Sequence, residues 1–373
     1  MNFPGHPFPE DNLLFPPHAD VLRYLDSFSQ SIRQHITFNT HVSAARKSAT
    51  TGAWELQLSD PVSGKSREAL YDALIVSAGH YNIPFTPPIT GIKAYSTAHP
   101  GTILHSKSYR RASDFSNKRV LVVGNSASGF DIASQLHAVV QQPLFQSIRT
   151  EGSPIASPSI RVLPEINIFK PETAEITFID GTILHDVDAV IFCTGYLHSL
   201  PFITPPGKPL ITNGNRVEGT YKHIFYAADP TLAFVGLATK VVPFPVAQSQ
   251  ASVIARVYSG RLKLPTVDVM RKWERDEIAK RGIGRMFHYH QYPADVDYVD
   301  ELGKMCDDAA GTGGLDPCRW GEKDRWVRAR VARMKAAYVK AKHNGRTVRR
   351  MEELGFSYEE GKDGETEESV PTV

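Results

Sequence analysis

The chain holds 373 residues, 41% of them hydrophobic and 22% charged, with a formal net charge of +2. At roughly 150 residues per domain, that length points to two domains with cores of their own and excludes a disordered or fibrous chain. A balance so close to neutral sets up no global field that would select nucleic acid or an anionic membrane. Cys193, Cys306 and Cys318 form no CxxC pair, which argues against a disulfide framework or zinc ribbon, predicts no metal site, and favours a cytoplasmic setting. No apolar run approaches the ~18 residues of a transmembrane helix, and Met1 to His6 show neither a basic start nor an apolar signal core.

Pro4, Pro7, Pro9, Pro16 and Pro17 make the first 20 residues irregular. A short helix should follow, with Val21, Leu22, Leu25 and Phe28 on its inner face. Strands are expected at Ile36 to Val42 and where Trp54, Leu56 and Leu58 alternate with polar residues. After a turn at Asp60 to Gly64, Tyr71 to Ser77 reads as a buried strand ending in Ala78-Gly79-His80. Pro84, Pro87, Pro88 and Gly91 mark a linker.

A second unit opens at Arg119 to Val123 (RVLVV), an apolar run suited to a parallel strand buried on both faces. Gly124-Asn125-Ser126-Ala127-Ser128-Gly129 follows at once, and Phe130, Ile132, Ala133, Leu136, Val139 and Val140 then recur at helical spacing. Leu144 to Ile148 completes a strand-turn-helix-strand pattern. Further strands are expected at Ile166 to Phe169, Glu175 to Ile179, Asp188 to Cys193 and Leu232 to Leu237, with a helix from about Val246 to Tyr258. Residues 319–350 are rich in Lys and Arg, with Val327, Val331, Met334 and Tyr338 at helical spacing. They read as a basic amphipathic surface helix, a nucleic-acid or membrane patch being the sharper alternative. Residues 352–368 carry eight acidic side chains against one Lys, and the acidic tail after Gly355 reads as disordered.

The strand-GNSASG-helix is the strongest chemical signal. A dinucleotide fingerprint needs a tight turn, close backbone approach to the pyrophosphate and a small residue where helix meets strand. Gly124 supplies the turn and Gly129 the small contact, with Ser126 in place of the middle glycine and Ser128 adding a hydroxyl. The phosphates would sit on the free N–H groups of the helix N-terminus. Arg149 lies 20 residues past Gly129, with Glu151 beyond it. Arginine suits a 2′-phosphate, so NADP is favoured over NAD. The pairs Gly282/Gly284 and Gly311/Gly313 lack a preceding apolar strand and read as loops.

Several segments together resemble the flavin-containing monooxygenases. Gly101, His105 and Tyr109 match the family's FxGxxxHxxxY signature, with His99 at the phenylalanine position. Cys193-Thr194-Gly195-Tyr196 resembles its ATGY element, Pro7-Phe8-Pro9-Glu10 a short segment after its first domain core, and Ala247-Gln248-Ser249-Gln250-Ala251 a helix start that approaches the flavin. The resemblance covers roughly residues 1–305. It implies an α/β flavoprotein architecture with two dinucleotide-binding domains. Gly124, Asn125, Ser126, Ala127, Ser128, Gly129 and Asp131 would line an NADPH pocket, with Arg149 at the adenosine end. Gly79, His80, Thr194, Gly195 and Gln250 would lie on the flavin side. His105 and Tyr109 are identifying residues, and a structural hydrogen-bonding histidine is the plainer reading of the first.

The family opens with an FAD-binding strand-GxGxxG-helix, and nothing of that kind precedes residue 119. The expectation is therefore an FAD domain, residues 1–94 and 216–318, that lacks its first βαβ. An NADP domain would occupy 95–215, followed by the basic helix (319–350) and the acidic tail (351–373). The implied reaction is NADPH- and FAD-dependent oxygenation of a soft nitrogen or sulfur nucleophile, with a small molecule and molecular oxygen as the partners. A homo-oligomer is left open. A chain without that first lobe should bind FAD poorly and NADPH on its own, and a catalytically impaired or partner-dependent remnant is the alternative.

Overall fold

The computed structural model describes residues 2–149 and 158–359, the side chain of His343 excepted. Glu151 and the acidic stretch from Glu360 onward lie outside the described residues. Two compact units emerge, one from the residues up to Gly79 together with those from Ser199 on, the other from His80–His198.

In chain order, the first segment contributes α1 (His18–Ser29), β1 (His41–Lys47), β2 (Trp54–Ser59), β3 (Ser66–Tyr71) and β4 (Leu74–Val76). The middle segment contributes β5 (Ile83–Pro84), α2 (Ile92–Ala98), β6 (Ile103–His105), β7 (Val120–Val123), α3 (Ala127–Leu136), β8 (Leu144–Ser147) and β9 (Ile160–Leu163). It continues with β10 (Ile166–Lys170), β11 (Glu175–Phe178), β12 (Ile183–His185), β13 (Ala189–Phe192) and β14 (Tyr196–Leu197). The last segment adds β15 (Ile203–Thr204), β16 (Thr220–Tyr221), β17 (Phe225–Tyr226) and β18 (Leu232–Phe234), then α4 (Pro243–Tyr258), α5 (Val267–Arg281), α6 (Ala294–Asp307) and α7 (Glu322–His343).

The unit of His80–His198 is a parallel sheet in the order β6-β13-β7-β8-β9, every adjacent pair parallel. Both faces of β7 are buried, which is why its sequence runs apolar without alternation. Val120 and Val122 pack with Ile132, Ala133 and Leu136 of α3. Leu121 packs on the other face with Tyr95 of α2 and Phe169, Ile176 and Phe178 of the β10-β11-β12 meander. A small ladder, Tyr196 to Pro84 and Leu197 to Ile83, returns the chain from β14 to β5.

In the other unit β15-β1-β2-β3 form one sheet and β16-β17-β18-β4 a second. β2 alternates as its sequence says, with Trp54, Leu56 and Leu58 buried and the residues between them half-buried. β18 alternates between two cores. Leu232 and Phe234 join the cluster of Trp54 and Val76, while Ala233 joins Val253 of α4 and Val299 and Leu302 of α6.

Several expectations need correction. The first helix is present, but the side chain it buries is Tyr24, whose hydroxyl accepts from Phe3 N–H and donates to the His6 carbonyl. Leu22 is 59% exposed, so the inner face is turned from the one expected. The strand expected at Ile36 to Val42 begins only at His41, because Asn39 sits in the left-handed region at φ 49°. β3 and β9 were not expected at all; β3 is an edge strand with almost no burial to mark it. The buried strand at Tyr71 to Ser77 shrinks to β4. That strand pairs with β18 alone, and its Ile75 is 47% exposed.

The unit boundaries also fall elsewhere than 94/95 and 215/216. Residues 83–84 pair with 196–197 and Thr90 bridges to Ile168, which ties 80–94 to the parallel-sheet unit. Ile203 pairs with Ala45 and Leu210 packs beside Trp54, which ties 199–215 to the other. The basic stretch does fold as a helix, α7. Its Trp326, Met334, Tyr338 and Ala341 are buried, and Arg325 and Arg328 pair with Asp300 and Asp295 of α6 at 2.6 Å each.

Candidate functional site

Parallel α/β sheets take ligands at the carboxyl ends of the strands where the strand order reverses. Here the chain leaves β7 for β8 and β9 on one side, and β13 returns on the other side of β7. The reversal therefore falls between β7 and β13. It brings Gly124, directly after β7, beside Cys193 and Thr194, directly after β13.

Close packing explains both glycines of the turn. Gly124 has φ 108°, and a Cβ there would lie 3.0 Å from the Cys193 carbonyl oxygen. A Cβ on Gly129 would lie 2.1 Å from the Gly124 carbonyl oxygen, so no larger residue lets α3 start this close to β7. Ser126 is the N-cap in extended conformation (φ −76°, ψ −172°), and its carbonyl accepts from Phe130 N–H at 2.8 Å. Ser126, Ala127 and Ser128 are exposed, so the first-turn N–H groups face an accessible helix end. Asn125 and Asp131 are half-buried on the same turn and helix, and Arg149 is exposed just past β8.

β8 holds the turn from below. Gly124 N–H donates to the Ser147 carbonyl at 2.8 Å, and the Gln146 side-chain amide donates to the Gly124 carbonyl at 3.0 Å. Neither Gln146 nor Ser147 stood out in sequence; the available signal was a polar pair inside the apolar run Leu144 to Ile148. Cys193 is buried with its thiol pushed up to about 12, so it serves as a small packing residue.

The loop after β13 is tied at two points. Thr194 donates its hydroxyl to the Phe85 carbonyl, while Phe85 N–H donates to the Gly195 carbonyl at 2.9 Å. His105 accepts from Lys107 N–H at Nδ1 (3.1 Å), which leaves Nε2–H to donate to the same Gly195 carbonyl at 3.0 Å. Burial holds this imidazole below its usual pKa, the Gly195 bond opposing and Lys107 adding to the effect. Tyr109 stacks on Phe115 with ring centroids 5.7 Å apart and donates to Gln135 Oε1 at 3.1 Å. Both identifying residues are thus structural ties within this unit.

Of the remaining expected residues, His80 opens this unit, while Gly79 and Gln250 belong to the other. Gly79 ends the stretch after β4 at φ 71° with open space around it, and the His80 ring lies 5.1 Å from that of His198. Gln250, fully buried on α4, accepts from Gly236 N–H at 2.8 Å and donates to Tyr298 hydroxyl at 2.9 Å, so both ends of its amide are engaged.

A second concentration of titratable groups lies in the other unit. His223, His288 and His290 are each at most 2% exposed. Val217 N–H donates to His288 Nε2 at 3.1 Å, so His288 Nδ1–H donates to His223 Nδ1 at 3.0 Å, and His290 Nδ1–H donates to the His288 carbonyl at 3.0 Å. These tautomers use the ring nitrogens for one another and for the backbone. Among the described residues no group of His, Cys, Asp or Glu is arranged to hold a metal ion.

A family model described as flavin-binding monooxygenase-like matches residues 1–158 and 151–310. The chain belongs to that family. The curated relatives of this monooxygenase-family chain include the flavin-containing monooxygenase iboF of Amanita muscaria, 28% identical across 84% of this chain and 69% of the relative. Another is FMO GS-OX1 of Arabidopsis thaliana, 33% identical across 71% of this chain and 57% of the relative. Matches of this kind span little more than half to about two thirds of the relatives' lengths. Among solved structures, the S-allyl-L-cysteine S-oxygenase of Allium sativum superposes with a TM-score of 0.77 at 28% identity, covering 95% of this chain and 80% of that one. No helix among the described residues is long and apolar enough to cross a membrane.

Proposed function

We propose that this chain binds NADPH at the β7–α3 turn and takes part in flavin-dependent oxygenation of a soft nitrogen or sulfur nucleophile. The observation that carries the reading is the Gly124/Gly129 cradle, which a single Cβ would fill, opening onto an exposed helix N-terminus at the strand-order reversal. The N–H groups of Ser126, Ala127 and Ser128 would hold the pyrophosphate, and Arg149 the 2′-phosphate. In the family's chemistry NADPH supplies the hydride and FAD the activation of oxygen. The name of the Allium sativum neighbour, an S-oxygenase, supports a sulfur nucleophile as substrate.

The flavin half reads differently. Among the described residues of the unit holding β4 and β18, no strand runs through a glycine-rich turn into a helix; β18 reaches α4 through an irregular link ending at Pro243 and Pro245. These residues do not fit the pyrophosphate of FAD, and no step is derived through it. Gln250 would act by fixing Gly236 and Tyr298 rather than by touching a ligand.

Titration of the purified chain with NADPH and NADH tests the reading. NADPH should bind more tightly, and Arg149→Ala should weaken NADPH about tenfold or more while leaving NADH unchanged, as loss of a charge-assisted phosphate contact requires. Absence of any nucleotide binding would refute it. A flavin absorbance spectrum of the same sample should show FAD well below one per chain, and stoichiometric FAD would overturn the reading of the flavin half.

A further inference from the structure

Gln146 is 1% exposed on β8, between the central strand β7 and the edge strand β9, paired with Val122 on one side and Val162 on the other. Alternation along β8 puts it on the face of Leu144, the face that α3 covers. Its amide nitrogen donates to the Gly124 carbonyl at 3.0 Å, while its amide oxygen is buried and has no partner among the described residues. Turning the amide over would set two oxygens against each other, so this orientation is the one the Gly124 bond selects. Buried side-chain polar atoms are nearly always paired, so an orphan of this kind needs a reason. A leucine would fill similar space with no unpaired oxygen. Among the described residues, the bond that the amide makes is the one to Gly124.

That effect is specific. The Gly124 carbonyl lies between the Gln146 amide and the first turn of α3, where a Cβ on Gly129 would come within 2.1 Å of it. Gly124 N–H is meanwhile fixed to the Ser147 carbonyl at 2.8 Å. Both polar groups of Gly124 therefore point at β8, which leaves the exposed N–H groups of the following residues turned outward at the helix end. We propose that Gln146 is the positioning residue of the nucleotide turn, holding the pyrophosphate-binding N–H groups in place without touching the ligand; this rests on the NADPH reading given above. Because it acts on the turn and not on the 2′-phosphate, it affects NADPH and NADH alike. That separates it from Arg149.

The test is calorimetric titration of the full 373-residue chain with NADPH and with NADH, in the wild type, Gln146→Leu and Gln146→Met, with thermal unfolding of each. Both variants should weaken both nucleotides by the same factor, about tenfold, the size of one hydrogen bond converted to affinity. Melting temperatures should change little, because removing the buried amide oxygen offsets leaving the Gly124 carbonyl without its side-chain donor. Gln146→Met keeps the chain's length and flexibility and reads the same quantity should Gln146→Leu fail to fold. Unchanged affinity in the variants overturns the inference, as does a loss confined to NADPH or a loss that only follows a falling melting temperature. If the wild type binds neither nucleotide, the NADPH reading falls first and this one with it; if it binds and the variants bind equally well, this one falls alone.

Discussion

β7 and β4 are both short parallel strands that lead to a glycine at positive φ, and they end in very different places. β7 has a parallel neighbour on each side, and its Gly124 is in contact range of the β13 terminus. β4 has β18 on one side only, Ile75 is 47% exposed, and a Cβ on Gly79 would meet nothing within 4 Å. A glycine matters to a site through what approaches it, and strands on both sides are what bring the approach about. Only the first strand has them.

The largest test of that contrast is to add a methyl group at each end. Gly129→Ala should abolish NADPH binding and destabilise its unit by about 3 kcal/mol, because the new Cβ collides with backbone that cannot turn aside. Gly79→Ala should cost only about 1 kcal/mol, the strain of a positive φ in open space. Equal effects in chemical denaturation would break the comparison.

Acid should separate the two units next. His290 is lowered to about 4 and His223 well below 6.5, chiefly by burial; for His223 the neighbouring His288 and His290 add to this, then Arg281 and Lys222. For a base with a depressed folded pKa, the unfolded chain binds more protons between about 6.5 and 4. The stability is therefore fully present above pH 6.5 and is lost as pH falls towards 4. His290 alone accounts for a loss on the order of 3 kcal/mol. Hydrogen exchange followed by peptide should show the unit with these histidines opening first. Earlier opening of His80–His198 would contradict this.

The smallest effect belongs to β4 itself. Ile75→Ala should change stability by less than about 1 kcal/mol, whereas Leu121→Ala, at a fully buried position in β7, should cost about 3. Comparable losses in urea denaturation would mean that β4 is better covered than its exposure indicates.

Much of the parallel-sheet unit was legible because burial on both faces leaves a plain mark, an unbroken apolar run closed by glycine. The same rule misled at Tyr71 to Ser77, where an apolar run ends up on a sheet edge; a sequence does not say how many neighbours a strand will have. Helical spacing found α1 but chose the wrong face, since the Tyr24 hydroxyl bonds to Phe3 and His6 override the pull of Leu22 and Leu25. Within the site, Gly124 and Gly129 were readable as types. Gln146 was not, because its importance rests on the carbonyl it faces across a strand pair.

His105 has a wider consequence. Its ring joins an edge strand to the loop after β13, with one nitrogen on Lys107 N–H and the other on the Gly195 carbonyl, and the neighbouring Tyr109 braces α3 through Gln135. The residues by which such chains are recognised are joinery. Their bonds hold this unit together without touching the exposed helix end, so the signature reports how the sheet is tied and not what is turned over.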